Sequence, residues 1–206
     1  MGLDLMLFMA DWRHLSATPV EKRLEALQVA AFPPEIDDEY YIGRPRGGWT
    51  WLPDREGAWC AEYDFFATTG AYRHHAHAGN AWADMRPFVD ASLREAMDSF
   101  LGGLIWNADP ADDLALTGGG GFLPSAADRR HPSLLLVCPP EVMPGKALAW
   151  ARAESRLEEL RKPFAAECQS WAGRPDSFED FTALLREWGT VTTEAAHRGW
   201  GLVGLP

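Results

Sequence analysis

The chain is poor in positive charge, and this shortage argues against several kinds of partner. It carries 19 lysine and arginine residues against 30 aspartate and glutamate residues, which gives a net charge of −11. A phosphate backbone requires clustered basic side chains, so we do not expect nucleic-acid binding. The same deficit disfavours an anionic membrane surface. The acidic surplus favours solubility and a basic partner.

Cysteine is also scarce, and the chain has no long apolar run. Cys60, Cys138 and Cys168 lie far apart and form no CxxC pair, whereas secreted disulfide scaffolds carry an even and denser set. No run reaches the ~18 apolar residues of a membrane span. Asp4 interrupts the apolar N-terminus, where no basic region precedes it, so no signal peptide is expected. We therefore predict a cytoplasmic protein with three free thiols.

The motifs that mark common catalytic sites are missing as well. The sequence contains no G-x-S-x-G and no H-E-x-x-H, and the glycine run that ends at Gly121 is not followed by Lys-Ser/Thr. It offers no ordered set of nucleophile, base and stabilising group. No cofactor is predicted.

Tryptophan, in contrast, is abundant: ten residues spread from Trp12 to Trp200. A packed tryptophan buries roughly 150–250 Å², so this density predicts a large and rigid interior. A chain of 206 residues is long enough for one full hydrophobic core. With no internal repeat and no long linker, we predict one domain over residues 1–206.

Hydrophobic spacing predicts strands and helices that pack as an α+β fold. Five segments are predicted as strands: Leu3–Met9 (central, buried on both faces), a short one at Trp49–Leu52, Trp59–Thr68, Ser133–Cys138 and Trp200–Leu205. We expect a mixed sheet that holds the N- and C-terminal strands and is packed by amphipathic helices.

Capping residues and apolar stripes predict where the helices lie. One helix follows Thr18, one follows Pro87, and a third has a stripe from Trp150 to Trp171 that Pro163 should bend. The clearest begins at Ser177, with Asp180 in the acidic position of a capping box, and ends at Gly199. Its stripe predicts nearly complete burial of three side chains, Phe181, Leu185 and Trp188.

The two ends of the chain, which open MGLDLMLF and close FEDFTALLREWGTVTTEAAHRGWGLVGL, resemble the YfbM-like proteins. So does LLLVCPPEVMPGKALAWARAESRLEELRKPF, which is similar to their strand, Pro-Glu-Val turn and helix. These are small bacterial α+β domains of unknown function. The resemblance implies a fold class and a bacterial source, and it assigns no functional residue.

The densest titratable group is a run of three histidines, His74, His75 and His77, in a segment for which we predict a loop and then a helix near Gly79–Arg86. On a helix His74 and His77 share a face, whereas on a strand His75 and His77 do. Either pair could supply two nitrogen ligands to Zn²⁺. Carboxylates that could complete such a site are Glu62, Asp64 and Asp84. A histidine cluster without metal is favoured, and a pH-sensitive surface is a further option.

A second set combines planar cations with aromatic rings. The candidate binding residues are Arg44, Arg46, Trp49, Trp51, Tyr72 and Arg73. Such a set suits an anionic, aromatic or sugar-like ligand, or a protein partner. Alternatively, the tryptophan pair anchors a long loop to the core. We hypothesise that the loop Tyr40–Trp51 and the segment Tyr72–Trp82 line one pocket.

Two classes of function remain. We favour a non-enzymatic binding or interaction protein, with a small molecule or a protein as its partner, because no catalytic set is ordered in the sequence. The alternative is a small enzyme whose site is built from histidines and acidic residues, and metal-assisted hydrolysis is one reaction it could carry out. Its candidate catalytic residues are His75, His77 and Asp64. Whether the chain is an enzyme, and its oligomeric state, stay open at this point.

Overall fold

The computed structural model describes residues 4–31, 47–51, 57–66, 68, 70–107, 121–124 and 136–206. Its centre is a five-stranded sheet with the order β2-β3-β1-β5-β4. In chain order the strands are β1 (Met6–Ala10), β2 (Gly48–Thr50), β3 (Cys60–Asp64), β4 (Leu136–Cys138) and β5 (Gly201–Leu205).

The terminal strands are neighbours at the middle of this sheet. Phe8 of β1 lies opposite Glu62 of β3 on one side and opposite Val203 of β5 on the other. The α+β class and the place of both terminal strands in the main sheet are thereby confirmed. Every pairing between described strands is antiparallel, so the expected mixed sheet is corrected. Apolar alternation does not encode strand direction, which depends on how the connecting helices return the chain.

Helices cover both faces of the sheet. In chain order they are α1 (Trp12–Ser16), α2 (Arg23–Ala31), α3 (Tyr72–Met85), α4 (Ala91–Leu101), α5 (Met143–Ala153), α6 (Arg161–Glu167) and α7 (Phe178–Arg198). A 3₁₀ helix at Glu154–Leu160 joins α5 to α6. Within the described part of the chain, no helix has the length and apolar character needed to cross a membrane.

Strand β1 is buried on both faces, as its unbroken apolar run predicts. Leu7 and Met9 belong to the larger core, which α3 to α7 also build. Phe8 and Ala10 belong to a smaller core on the other face, beneath α2. Successive strand side chains point to opposite faces, so this one strand contributes to both cores.

Helix α7 has the ends that its sequence predicts. The Ser177 hydroxyl accepts a hydrogen bond from the Asp180 amide at 3.0 Å and donates one to the Asp180 carboxylate at 2.6 Å. At the other end Gly199 has a φ of 66°, a left-handed conformation that glycine adopts without strain. The predicted stripe is confirmed, because Phe181, Leu185 and Trp188 are all fully buried.

Two helix predictions need correction. Helix α3 begins at Tyr72 rather than near Gly79. Gly79 marks a close contact instead of a turn, since a Cβ atom there would lie 2.0 Å from the Ile105 carbonyl oxygen. The stripe that was expected to reach Trp171 ends early, and Trp171 is 67% exposed. The 3₁₀ helix Glu154–Leu160 has a different periodicity, and α6 stops at Glu167 before that tryptophan.

The contrast between a buried and an exposed tryptophan gives a test of the core. Replacing Trp188 by alanine should lower the free energy of unfolding by about 3–5 kcal/mol, because it leaves a large cavity. The matched change, Trp171→Ala, removes a mostly exposed ring and should shift stability by no more than about 0.5 kcal/mol. Urea denaturation of the three proteins measures both values. Similar losses for the two variants would contradict this assignment of the core.

The cysteines give a second test. Cys60, Cys138 and Cys168 are all free and buried, and burial raises the pKa of the Cys60 thiol to about 12. Only the exposed thiolate reacts quickly with a disulfide reagent. We therefore expect almost no reaction in the native protein and three equivalents in denaturant. Rapid native reaction, or fewer than three equivalents in denaturant without reductant, would disprove the prediction.

Candidate functional site

Helix α3 places its three histidines in two different environments. His75 is fully buried in the main core, while His74 and His77 line a cleft at the surface. On a helix, residues three apart share a face. Of the two alternatives left open by the sequence, the structure shows the helical one, which brings His74 and His77 together.

His75 is held by Trp188 of α7. The indole Nε1–H donates to His75 Nδ1 at 3.1 Å. Indole nitrogen only donates, so Nδ1 carries no proton and the neutral ring carries its proton on Nε2. Among the described residues Nε2 has no hydrogen-bond partner. The Phe65 ring packs against the imidazole at 4.6 Å, nearly perpendicular to it.

Burial keeps His75 neutral. Desolvation, with a smaller contribution from His74, lowers the pKa of His75 from 6.5 to about 3. The ring is therefore a structural acceptor for Trp188 at physiological pH. It does not reach solvent, although the sequence made it a candidate catalytic residue.

The cleft has a volume of about 140 Å³ and lies between α3 and the first turns of α7. It brings together groups that are about a hundred residues apart in the chain. The lining residues are Thr68, His74, His77, Pro175, Asp176, Asp180, Phe181 and Leu184. We call this the His–Asp cleft, because two imidazoles and two carboxylates are its titratable groups.

The electrostatics of the cleft favour a neutral imidazole beside carboxylates. The pKa of His74 lies below its ordinary value, first because of desolvation and then because of Arg73 and His77, while Asp176 and Asp180 act in the opposite direction. Arg73 Nε also donates to His74 Nε2 over a long 3.5 Å. At neutral pH the cleft therefore presents carboxylate oxygens next to an uncharged His74 ring.

The aromatic candidates for binding lie elsewhere. Trp49 packs edge-on against Tyr63 at 4.9 Å. Trp51 lies 6.1 Å from Trp200, and the guanidinium of Arg198 lies 4.2 Å above the Trp51 ring. Both tryptophans pack against the main core. Whether they also anchor the long loop stays a prediction, because most of that loop lies outside the described residues.

The remaining candidates are scattered. Tyr72 stacks near His75, with ring centres 6.3 Å apart, and Arg73 is exposed beside the cleft. Asp64 ends β3 opposite Gly48. The candidates Arg44 and Arg46, with most of the loop Tyr40–Trp51, lie outside the described residues.

A metal site is not assembled in the described part of the chain. There, no group of three His, Cys, Asp or Glu side chains is arranged to hold an ion. Asp84, one of the proposed ligands, instead forms an ion pair with Arg174 at 2.5 Å. Glu62, another, is buried in the sheet.

Asp176 and Asp180 are the site residues that the sequence did not identify. Asp180 was recognised only as part of a helix cap, which it also is. Neither carboxylate has a local signal that connects it with His74, because the connection is made by the packing of α7 on α3. The helical spacing of His74 and His77 was the one available indication.

The burial of His75 predicts a pH dependence of stability. Its pKa is about 3 in the folded protein and 6.5 ordinarily, so between these values the unfolded chain binds the extra proton. The stabilising effect of the neutral ring is complete above pH ~6.5 and is lost as the pH falls towards ~3. Between about pH 7 and pH 5 the burial of His75 should lower the free energy of unfolding of the wild type by about 2 kcal/mol.

The variant His75→Asn keeps an acceptor for Trp188 and removes the titrating ring. Urea denaturation at a series of pH values should show a smaller loss of stability for this variant than for the wild type. Phe88→Ala, which changes an exposed ring and no titratable group, serves as the control and should keep the wild-type slope. Equal slopes for His75→Asn and the wild type would contradict the assignment.

Comparison of the chain with protein-family models, with curated proteins and with solved structures finds no match. The resemblance of the terminal segments to the YfbM-like proteins therefore stays a proposal. The function rests on the geometry of the His–Asp cleft.

Proposed function

We propose that this chain is a non-enzymatic binding protein, and that the His–Asp cleft binds a small cationic group such as a guanidinium or an ammonium. One observation carries the proposal. Asp176 and Asp180, at the start of α7, share a single cleft with His74 and His77 of α3. Carboxylates accept hydrogen bonds, and a nitrogen cation only donates them.

The size of the cleft favours a small group. Sites for drug-sized molecules usually have volumes of about 300–1,000 Å³, against about 140 Å³ here. That volume suits the charged end of one side chain.

The charges of the cleft disfavour an anion. The N-terminus of a helix attracts negative charge, and the first turn of α7 already carries Glu179 and Asp180. The Asp180 amide is also occupied by the Ser177 hydroxyl. An anionic ligand would meet two carboxylates in the cleft, so its geometry supports a cation. The anionic, aromatic or sugar-like ligand considered from the sequence concerned the set of arginines and tryptophans, which is a different group of residues.

An enzyme receives less support from the described residues. They assemble no metal-ligand group. Burial raises the pKa of Cys60 to about 12 and of Cys138 to about 11, which makes poor nucleophiles of both thiols. The site that remains has acceptors but no activated nucleophile.

The proposal also covers the cellular location, the source and the partner of this protein. The three free thiols and the resemblance of the chain ends support one cytoplasmic domain in a bacterium. The net charge of −11 supports a basic partner and argues against nucleic acid.

Methylguanidinium is a direct probe of the cleft. At about 10 mM it should shift the amide NMR signals of the first turns of α3 and of residues 175–184. A site with a dissociation constant of about 1 mM is mostly occupied at this concentration. The double variant Asp176→Asn/Asp180→Asn should bind at least about tenfold more weakly, since each charged hydrogen bond contributes about 1.5–3 kcal/mol.

The charge-matched control is Glu141→Gln/Glu154→Gln, which removes two exposed carboxylates away from the cleft. It should bind methylguanidinium like the wild type, and acetate should cause no shifts at the cleft. If methylguanidinium does not perturb these amides, or if both double variants lose binding equally, the proposed function is wrong.

A further inference from the structure

We infer that the His–Asp cleft is the pocket of a protein-docking surface, and that its occupant is an arginine side chain on a basic segment of a partner protein. This inference rests on the proposed function and adds the class of partner. An exposed aromatic ring, Trp171, on the loop that leads into the cleft is the further observation.

Trp171 is unlike the other tryptophans. All ten lie in the described part of the chain, and nine of them are buried or half-buried. Trp171 is 67% exposed, on the loop that continues into Pro175 and Asp176 of the cleft. Tryptophan is the residue most enriched where partner proteins bind tightly, and leaving it in water is costly.

The loop that carries Trp171 is held in place. The Trp171 amide donates to the Cys168 carbonyl at 3.1 Å. The Asn80 side chain of α3 donates to the Gly173 carbonyl at 3.4 Å, and Arg174 pairs with Asp84 of α3. The ring is therefore presented from an anchored backbone, which reduces the entropy lost on binding.

Arginine fits this surface better than lysine does. Its guanidinium offers five donors in one plane, which suits the two carboxylates of the cleft. The charge of −11 on the whole chain would attract a basic segment over a longer range.

A matched pair of peptides tests this inference on the full chain. Acetyl-Ala-Leu-Arg-Leu-Ala-amide is compared with the same peptide carrying citrulline, which has nearly the same shape as arginine and no charge. We expect the arginine peptide to bind at least about tenfold more tightly than the citrulline peptide, since one charged hydrogen bond is enough for that factor. It should bind about fivefold more tightly than methylguanidinium, since only the peptide contacts Trp171. NMR titration gives all three affinities.

Variants separate the surface from the cleft. Trp171→Ala should weaken the arginine peptide about fivefold and leave methylguanidinium unchanged, because only the peptide reaches the loop. Phe88→Ala, which removes another exposed ring, is the control and should change neither. Asp176→Asn/Asp180→Asn should weaken both ligands.

The outcomes distinguish the two proposals. If methylguanidinium binds and the arginine peptide binds no more tightly, the inference is overturned and a site for a free small cation stands. If the peptide binds but neither the Trp171 nor the aspartate variant affects it, the peptide binds elsewhere and the inference is again overturned. If no cation binds at the cleft, the proposed function fails as well.

Discussion

The hydrogen bond from the Trp188 indole to His75 joins the two helices that form the cleft. It fixes how α3 is rotated about its own axis against α7, because His75 must point into the core to meet Trp188. At 3.6 residues per turn, His74 and His77 then share a face away from that contact. The same rotation brings them to the start of α7, where Asp176 and Asp180 lie. A buried contact thus determines the chemistry of an exposed site.

Two buried polar side chains show how differently the fold accommodates such groups. The ammonium of Lys146 donates to three carbonyls at the end of α4, those of Ser99, Phe100 and Gly102. The ammonium thereby pairs with backbone carbonyls that the end of a helix leaves without hydrogen bonds. His75 has one hydrogen bond and, among the described residues, no partner for Nε2. The contact between α3 and α7 therefore relies on aromatic packing around a buried imidazole that makes one hydrogen bond where it could make two. Buried polar atoms normally have partners, and exceptions of this kind occur preferentially near functional sites.

The sequence predicts well what local signals determine. Ser177 and Gly199 define α7, and the unbroken apolar run of β1 predicts burial on both faces, because caps and periodicity act within a few residues. The site is a long-range product. The spacing of His74 and His77 allowed a helix or a strand, and nothing in the sequence connects them with Asp180. The histidine half of the site was therefore predicted to line a pocket with the loop Tyr40–Trp51, and the carboxylates of the cleft became visible only through the packing of α7.

The most direct test of this account is the protonation state of His75, observed by long-range ¹⁵N–¹H NMR of the imidazole rings. We expect a neutral ring with its proton on Nε2, unchanged from about pH 7.5 to pH 5. We also expect the Trp188 indole proton to be protected from exchange with solvent. A His75 ring that carries its proton on Nδ1, or that titrates in this range, would contradict the contact on which the position of the cleft depends.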